Sequence, residues 1–225
     1  MPRMRGVELM NWPDDFVNKV IHGDCIDIMR EMPDKCVDLV LTDPPYGINE
    51  NAFRVANRGK LARTTKYKDF TWDKERIAED YFIEIFRVSK NQIIFGGNYY
   101  IDYLYPTKCI IVWDKDTRKT NFADCEVAWG SFNSAARVYK HRWNGMLQEN
   151  MAKKEPRIYP CQKPVHLITK IIKDFSNEND LILDPFAGSG TTAEACRLMH
   201  RRFIVIEKTS EGIALSKERL SQGVL

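Results

Sequence analysis

The sequence predicts an α/β sandwich built around a mostly parallel sheet. Three observations lead there. Short apolar, β-branched runs alternate with segments of helical periodicity along almost the whole chain. Two of those runs end abruptly, in Asp43-Pro44-Pro45-Tyr46 and in Asp184-Pro185-Phe186-Ala187-Gly188-Ser189-Gly190, as strands do at a ligand-bearing sheet edge. The 225 residues suffice for one large domain with a sizeable core, but not for two comfortable ones.

In chain order, Met1 to about Phe16 is a polar lead-in. Lys19 to His22 reads as a short strand, and Gly23-Asp24 turns it into a helix from Cys25 to Met32 with Asp24 as N-cap. Val37 to Thr42 is nearly all apolar, a strand buried on both faces. From Gly47 to about Trp72 the chain is basic and aperiodic, a loop of the length that is usually functional or disordered. Glu79 to Lys90 has the spacing of an amphipathic helix, Gln92 to Phe95 is a strand, and a short aromatic helix runs through Tyr105. Strands follow at Lys108–Trp113 and Glu126–Phe132. Ser134 to Arg157 breaks every period and reads as an inserted recognition segment. Pro164 to Phe175 is a helix with proline at its first position. Leu181–Leu183 is a strand, Thr192–Met199 a helix, Phe203–Glu207 a strand and Glu211–Leu220 a closing helix.

Composition narrows the setting. A formal net charge of +3 announces no polyanion partner, but local charge is more informative. Between Asn51 and Phe70, Arg54, Arg58, Lys60, Arg63, Lys66 and Lys68 face the single acid Asp69. Arg137, Lys140, Arg142, Lys153, Lys154 and Arg157 form a second cluster, with Trp143 among them and Glu149 and Glu155 as the opposing acids. One basic cluster is ordinary solvated surface. Two in aperiodic segments, one with interleaved aromatics, point to contacts with a phosphate backbone. The six cysteines form no CxxC pair and no histidine stands at zinc-ligand spacing, so a reduced, cytoplasmic setting without a metal is expected. No apolar run has membrane length and the N-terminal residues lack a signal peptide's apolar core.

Two motifs carry chemistry. After the Val37–Thr42 strand, two prolines remove two backbone donors and hold Asp43 extended. A carboxylate, two carbonyls and the Tyr46 ring are thereby fixed beyond a strand end, where they suit a flat heterocycle with an amino group. Asp-Pro alone would be a plain strand-ending turn; the full Asp-Pro-Pro-Tyr is more specific. The second motif is strand, glycine-rich turn, helix. Its glycines allow close approach of a ligand and the helix start offers free N–H groups. No lysine follows Gly190, which excludes a Walker phosphate loop, and the third glycine of the dinucleotide fingerprint is missing. Glu207, with Lys208 beside it, ends the next strand, where an acid accepts hydrogen bonds from ribose hydroxyls. A nucleoside-containing cofactor without a phosphate demand fits these residues.

Together these motifs resemble the S-adenosylmethionine-dependent amino-methyltransferases that methylate exocyclic amines of DNA bases. Asp43-Pro44-Pro45-Tyr46 is similar to their catalytic motif and Asp184 to Thr191 to their cofactor motif. Tyr159-Pro160-Cys161-Gln162-Lys163-Pro164 resembles the segment enclosing the cofactor's methionine end, although Tyr159 and Cys161 stand where His and Thr are common. Gly23-Asp24-Cys25 resembles the stretch approaching its adenine. Catalytic motif first and cofactor motif near the C-terminus is the order of the permuted β class. The resemblance spans about Val20 to Leu220 and implies a Rossmann-like seven-stranded sheet with helices on both faces and one antiparallel strand.

It further implies catalytic roles for Asp43, Pro44, Pro45 and Tyr46. Cofactor contacts are implied for Asp24, Cys25, Gln162, Lys163, Asp184, Phe186, Gly188, Ser189, Gly190, Thr191, Glu207 and Lys208. The expected partner is double-stranded DNA with a flipped target base, contacted by Arg54, Arg58, Arg63, Lys66, Lys68, Arg137, Lys140, Arg142 and Trp143. Aspartate at the first motif position favours adenine N6, with cytosine N4 as the alternative, then adenine in RNA, then a non-catalytic nucleic-acid-binding partner subunit. A homodimer and a restriction endonuclease partner stay open.

Overall fold

The computed structural model describes residues 10–48, 75–117, 123–144, 147–159 and 161–222 of the chain. Valine, isoleucine and leucine runs too apolar to face water on either side set its sheet. Strands β1 (Lys19–His22), β2 (Val37–Thr42), β3 (Ser89–Phe95), β4 (Cys109–Asp114), β5 (Cys125–Gly130) and β6 (Arg137–Lys140) are followed, after a small hairpin, by β9 (Leu181–Asp184) and β10 (Arg202–Glu207). They lie in the order β1-β10-β9-β2-β3-β5-β4-β6. Within this sheet, among the described residues, β5 alone runs against the direction of the other strands. The small hairpin pairs β7 (Trp143–Asn144) with β8 (Leu147–Gln148).

The helices are α1 (Cys25–Arg30), α2 (Glu79–Val88), α3 (Val165–Phe175), α4 (Thr191–Leu198) and α5 (Ser210–Ser221), with a 3-10 turn at Gly97–Tyr99. Asp24 caps α1 by accepting from the Ile26 N–H at 3.2 Å. Pro164 is the N-cap of α3, one position earlier than the sequence suggests. Because side chains alternate along a strand, β2 feeds both layers. Leu39 and Leu41 pack with Ile168 and Ile172 of α3 and Ala193 of α4. Val40 packs on the opposite face with Met29 of α1 and Ile85 of α2. Losing any of these buried leucines would cost about 2–5 kcal/mol.

The sheet has eight strands, one more than the resemblance implies. The extra one is β6, at the edge, and it comes from the 134–157 segment that periodicity reads as an insertion. Its alternation is masked by polar neighbours. Val138 faces solvent, 68% exposed, while Tyr139, followed by Lys140, is buried and donates its hydroxyl to Asp174 at 2.7 Å.

Parallel strands bring their carboxyl ends to one edge. Asp43, Gly96, Asp184 and Glu207 therefore emerge together, and β5, running the other way, brings its amino end with Glu126 to the same edge. The expected basic loop lies outside the described residues beyond Ile48, and Arg54, Arg58, Arg63, Lys66 and Lys68 lie outside them too. Tyr46 and Arg76 form an antiparallel bridge at the diproline turn. No helix among the described residues is long and apolar enough to cross a membrane.

Candidate active site

The two motifs meet because β2 and β9 are neighbours, with Leu39 opposite Ile182 and Val40 opposite Leu183. Beyond that register the Thr42 hydroxyl donates to Asp184 at 2.8 Å and joins the two strand ends directly. Both turns open into one cavity of about 690 Å³, with Asp43 and Pro45 on one wall and Gly188 and Ser189 on another. That is the size of a site for a cofactor-sized molecule.

The glycine turn is held by two carboxylates. Asp184 accepts from Thr42, from the Thr192 hydroxyl at 2.6 Å and from the Phe186 N–H at 3.1 Å. Burial pushes its carboxyl up to about 6 against the pull of those donors. Glu207, 8% exposed, accepts from the Gly188 N–H at 2.9 Å, and from the N–H and hydroxyl of Thr209 at 2.8 and 2.6 Å. A carboxylate has about four acceptor positions, so roughly one remains for a ligand. Gly190 caps α4 with φ +75°, and a Cβ there would lie 2.8 Å from the Ser216 hydroxyl, so only glycine fits.

Asp24 lies at the far end of the cavity, where Lys208 pairs with it at 2.8 Å and the Tyr81 hydroxyl donates at 3.3 Å. The rings of Tyr81 and Phe186, 6.0 Å apart, form an aromatic corner beside it. Cys25 is buried there, its thiol pushed up by burial.

The diproline turn is braced by its neighbours. Tyr100 donates its hydroxyl to the Pro45 carbonyl. The Tyr46 ring stacks on Tyr99, centroids 4.8 Å apart and planes 18° from parallel, and its hydroxyl donates to Asp43. Gly96, with φ +65°, makes room for that ring: a Cβ there would fall 2.1 Å from it.

The other Asp43 oxygen is paired with the ammonium of Lys163, whose side chain is 8% exposed. Lys163 also faces Glu126 at 3.1 Å, and Glu126 is paired with Lys115. Burial raises the Asp43 carboxyl above the usual range, with Lys163 opposing and Glu126 reinforcing the rise. Burial also works against ionised Glu126, but the ammonium groups of Lys163 and Lys115 outweigh it and hold the carboxyl at about 2.

Most of the residues singled out in the sequence converge on this cavity. Asp24, Cys25, Phe186, Gly188, Ser189, Thr191, Glu207 and Lys208 line it, as do Gln162, Lys163 and Asp184; Pro44, Tyr46 and Gly190 are not among its lining residues. Some do different things there than expected. The Gln162 amide is occupied within its own segment, donating to Glu155 and the Pro156 carbonyl and accepting from the Ile158 N–H. The Lys163 ammonium lies on Asp43 and Glu126. Trp143 is a correction: it is 7% exposed and packed in the core with Leu167 and Ile171 of α3, so its indole is not displayed for a partner. Lys140 and Arg142 sit at the carboxyl end of β6, both paired with Asp116, and Arg137 is exposed at the strand's other end.

Sequence reasoning missed Thr42, Tyr81, Tyr99, Lys115, Glu126 and Thr209. None stands in a motif. Only Glu126 carried a signal, an acid opening an otherwise apolar strand.

A family model described as DNA methylase matches residues 90–218 of the chain. The Type II methyltransferase M.HinfI of Haemophilus influenzae is 26% identical over 257 residues, covering 93% of this chain and 70% of its own. The DNA adenine methyltransferase YhdJ of Escherichia coli (strain K12) is 29% identical over 263 residues, covering 92% and 85%. The crystal structure of the M1.HpyAVI–SAM complex superposes with a TM-score of 0.54 at 24% identity, covering 90% of this chain and 98% of that one. That likeness is one of fold.

Proposed function

Because the chain belongs to this DNA methylase family, we propose that it transfers a methyl group from S-adenosylmethionine to the exocyclic N6 of a flipped adenine in double-stranded DNA. The observation that carries the reading is the single cavity shared by the glycine turn and Asp43, whose strand ends are joined by the Thr42–Asp184 hydrogen bond. The residues present suit the cofactor: free N–H groups at the start of α4, an aromatic corner at Tyr81 and Phe186 for a purine, and one acceptor position left on Glu207 for a ribose hydroxyl. S-adenosylmethionine supplies an activated methyl on a sulfonium that leaves as a neutral thioether.

The protein's own part is to make a poor nucleophile competent. The lone pair of an aryl amine is delocalised into its ring. Asp43, accepting one amino hydrogen, and a carbonyl of the diproline turn, accepting the other, favour a pyramidal nitrogen. As nitrogen gains the methyl carbon it becomes cationic, and Asp43 accepts the proton it must lose. For the amine to reach that carboxylate, the Tyr46 hydroxyl must yield one oxygen. A stacking Tyr46 would contribute about 1–3 kcal/mol to holding the base. The remaining acceleration comes from in-line positioning.

Aspartate at the head of the motif supports adenine over cytosine N4. Lys140 and Arg142, at the same edge as Asp43, are suited to phosphates; the basic 47–72 segment and the 134–157 segment are proposed as DNA-contacting parts of one methyltransferase domain over residues 1–225. A short recognition segment suits a short site or a homodimer that shares the contacts, and a restriction endonuclease counterpart belongs to the same reading. Incubation with methyl-labelled cofactor and, in parallel, genomic DNA or total RNA, followed by digestion to nucleosides and mass spectrometry, tests it. N6-methyladenine is the expected product. N4-methylcytosine would replace the substrate assignment, and label in RNA alone or nowhere would defeat the proposal.

A further inference from the structure

Four side chains of alternating charge run inward from the end of β4 to the diproline turn: Lys115, Glu126, Lys163 and Asp43. They come from four separate stretches of chain. Lys163 is the pivot, buried and shared between two carboxylates, with its ammonium also 5.1 Å from the centre of the Phe95 ring. A buried lysine between two acids is not needed to close the fold, because replacing such charges by apolar groups of like volume is often neutral or stabilising. One Glu126 oxygen is enclosed and lacks a well-aligned hydrogen-bond donor, although the Lys163 ammonium stands 3.1 Å from it. That misalignment fits an ammonium whose hydrogens are directed at Asp43 first.

We propose that Glu126 is a positioning residue for the transfer reaction, holding the Lys163 ammonium between itself and Asp43 so that the catalytic carboxylate stays aimed at the target amine and able to accept its proton. The proposal deepens the methyltransferase reading and rests on it. Lys163 alone would grip Asp43 as a full counter-charge and make it a feeble acceptor. Glu126 divides that ammonium's attraction, and Lys115 in turn balances Glu126. The other ionisable groups facing this pair are the Tyr46 hydroxyl and Asp184 from β9 beside Asp43, and Cys161 from the segment before α3 beside Lys163. None of these replaces the divided ammonium, since none of them is positively charged.

The test follows the Asp43 carboxyl by carbon-13 NMR as pH is varied, in ligand-free protein labelled at aspartate, with Asp43→Asn assigning the signal. In Glu126→Gln an anionic neighbour is lost, and the midpoint should fall by about one pH unit. In Lys163→Gln a cationic neighbour is lost, and it should rise by about as much. The acid limb of kcat/KM for methyl transfer should move in the same two directions. A purely structural role predicts something else: opening the site to water would carry both variants towards an ordinary aspartate. Midpoints that move together, or that stay within about 0.3 pH unit of the wild type in Glu126→Gln, overturn the proposal. Should Lys163→Gln not fold, Lys115→Gln, at the partly exposed end of the row, takes its place with a smaller rise expected; no rise counts against the proposal. A wild-type protein that labels no nucleic acid would sink the methyltransferase reading, while the NMR midpoints would still decide whether Glu126 governs Asp43.

Discussion

Glu207→Gln separates holding the glycine turn from holding a ligand. The substitution keeps the shape of the side chain and exchanges one oxygen for an amide NH2. Glu207 now accepts from Gly188 on one side and from Thr209 on the other. Whichever way the new amide turns, its NH2 faces a backbone N–H that cannot reverse. At least one buried donor is left without an acceptor, and the remaining bonds lose their charge assistance, a combined cost of about 2–4 kcal/mol. At about 3 °C per kcal/mol for a chain of this size, ligand-free protein should melt about 6–12 °C lower. Calorimetric unfolding without ligand measures that directly. Titration calorimetry with S-adenosylmethionine should then give a dissociation constant raised about 10-fold or more. An unaltered melting temperature would refute the bracing role. A lower melting temperature with unaltered affinity would leave Glu207 as a brace and remove it from the ribose contact.

Other expectations can be checked alongside it. Asp43→Ala should lower methyl transfer by about 10²-fold or more, with the cofactor's dissociation constant nearly unchanged by calorimetry; retained turnover would defeat the assignment. Gly96→Ala would drive a methyl group into the Tyr46 ring at 2.1 Å and strain a residue at φ +65°, so kcat/KM for DNA should fall while cofactor affinity holds. Because Asp43 titrates above the usual carboxylate range, and must be ionised to accept a proton, kcat/KM should decline as pH falls through that raised value. A rate that stays level down to the ordinary aspartate range would contradict this. Lys140→Ala should reduce the slope of log affinity against log salt by about 0.9 if the residue meets a phosphate, and an unchanged slope in a filter-binding titration would remove it from the interface.

Much of the fold can be read from the sequence because parallel strands are apolar on both faces and end in residues of distinctive chemistry. Val37–Thr42, Leu181–Asp184 and Arg202–Glu207 lie within a residue of their expected positions. Alternation fails at β6, where Tyr139 alone of four residues is buried, and exposed Arg137, Val138 and Lys140 leave the strand looking polar. Trp143 misleads for a related reason: an aromatic among basic residues reads as a stacking surface, yet a short hairpin turns it inward against α3. Glu126 could not be placed without the topology. A strand's direction is invisible in its composition, and only antiparallel pairing brings the start of β5 to the edge where the other strands end. Lys163 was found through its motif, but the partner of its ammonium depends on that same reversal.

Thr42 and Asp184 stand 142 positions apart and are joined sideways by one hydrogen bond across neighbouring strands. The working centre therefore depends on which strands lie abreast and is indifferent to which of them the ribosome makes first. A gene cut within an exposed connection and rejoined with its halves exchanged would encode the same seam. Two enzymes carrying these motifs in opposite succession can thus share one chemistry without either having to reinvent it.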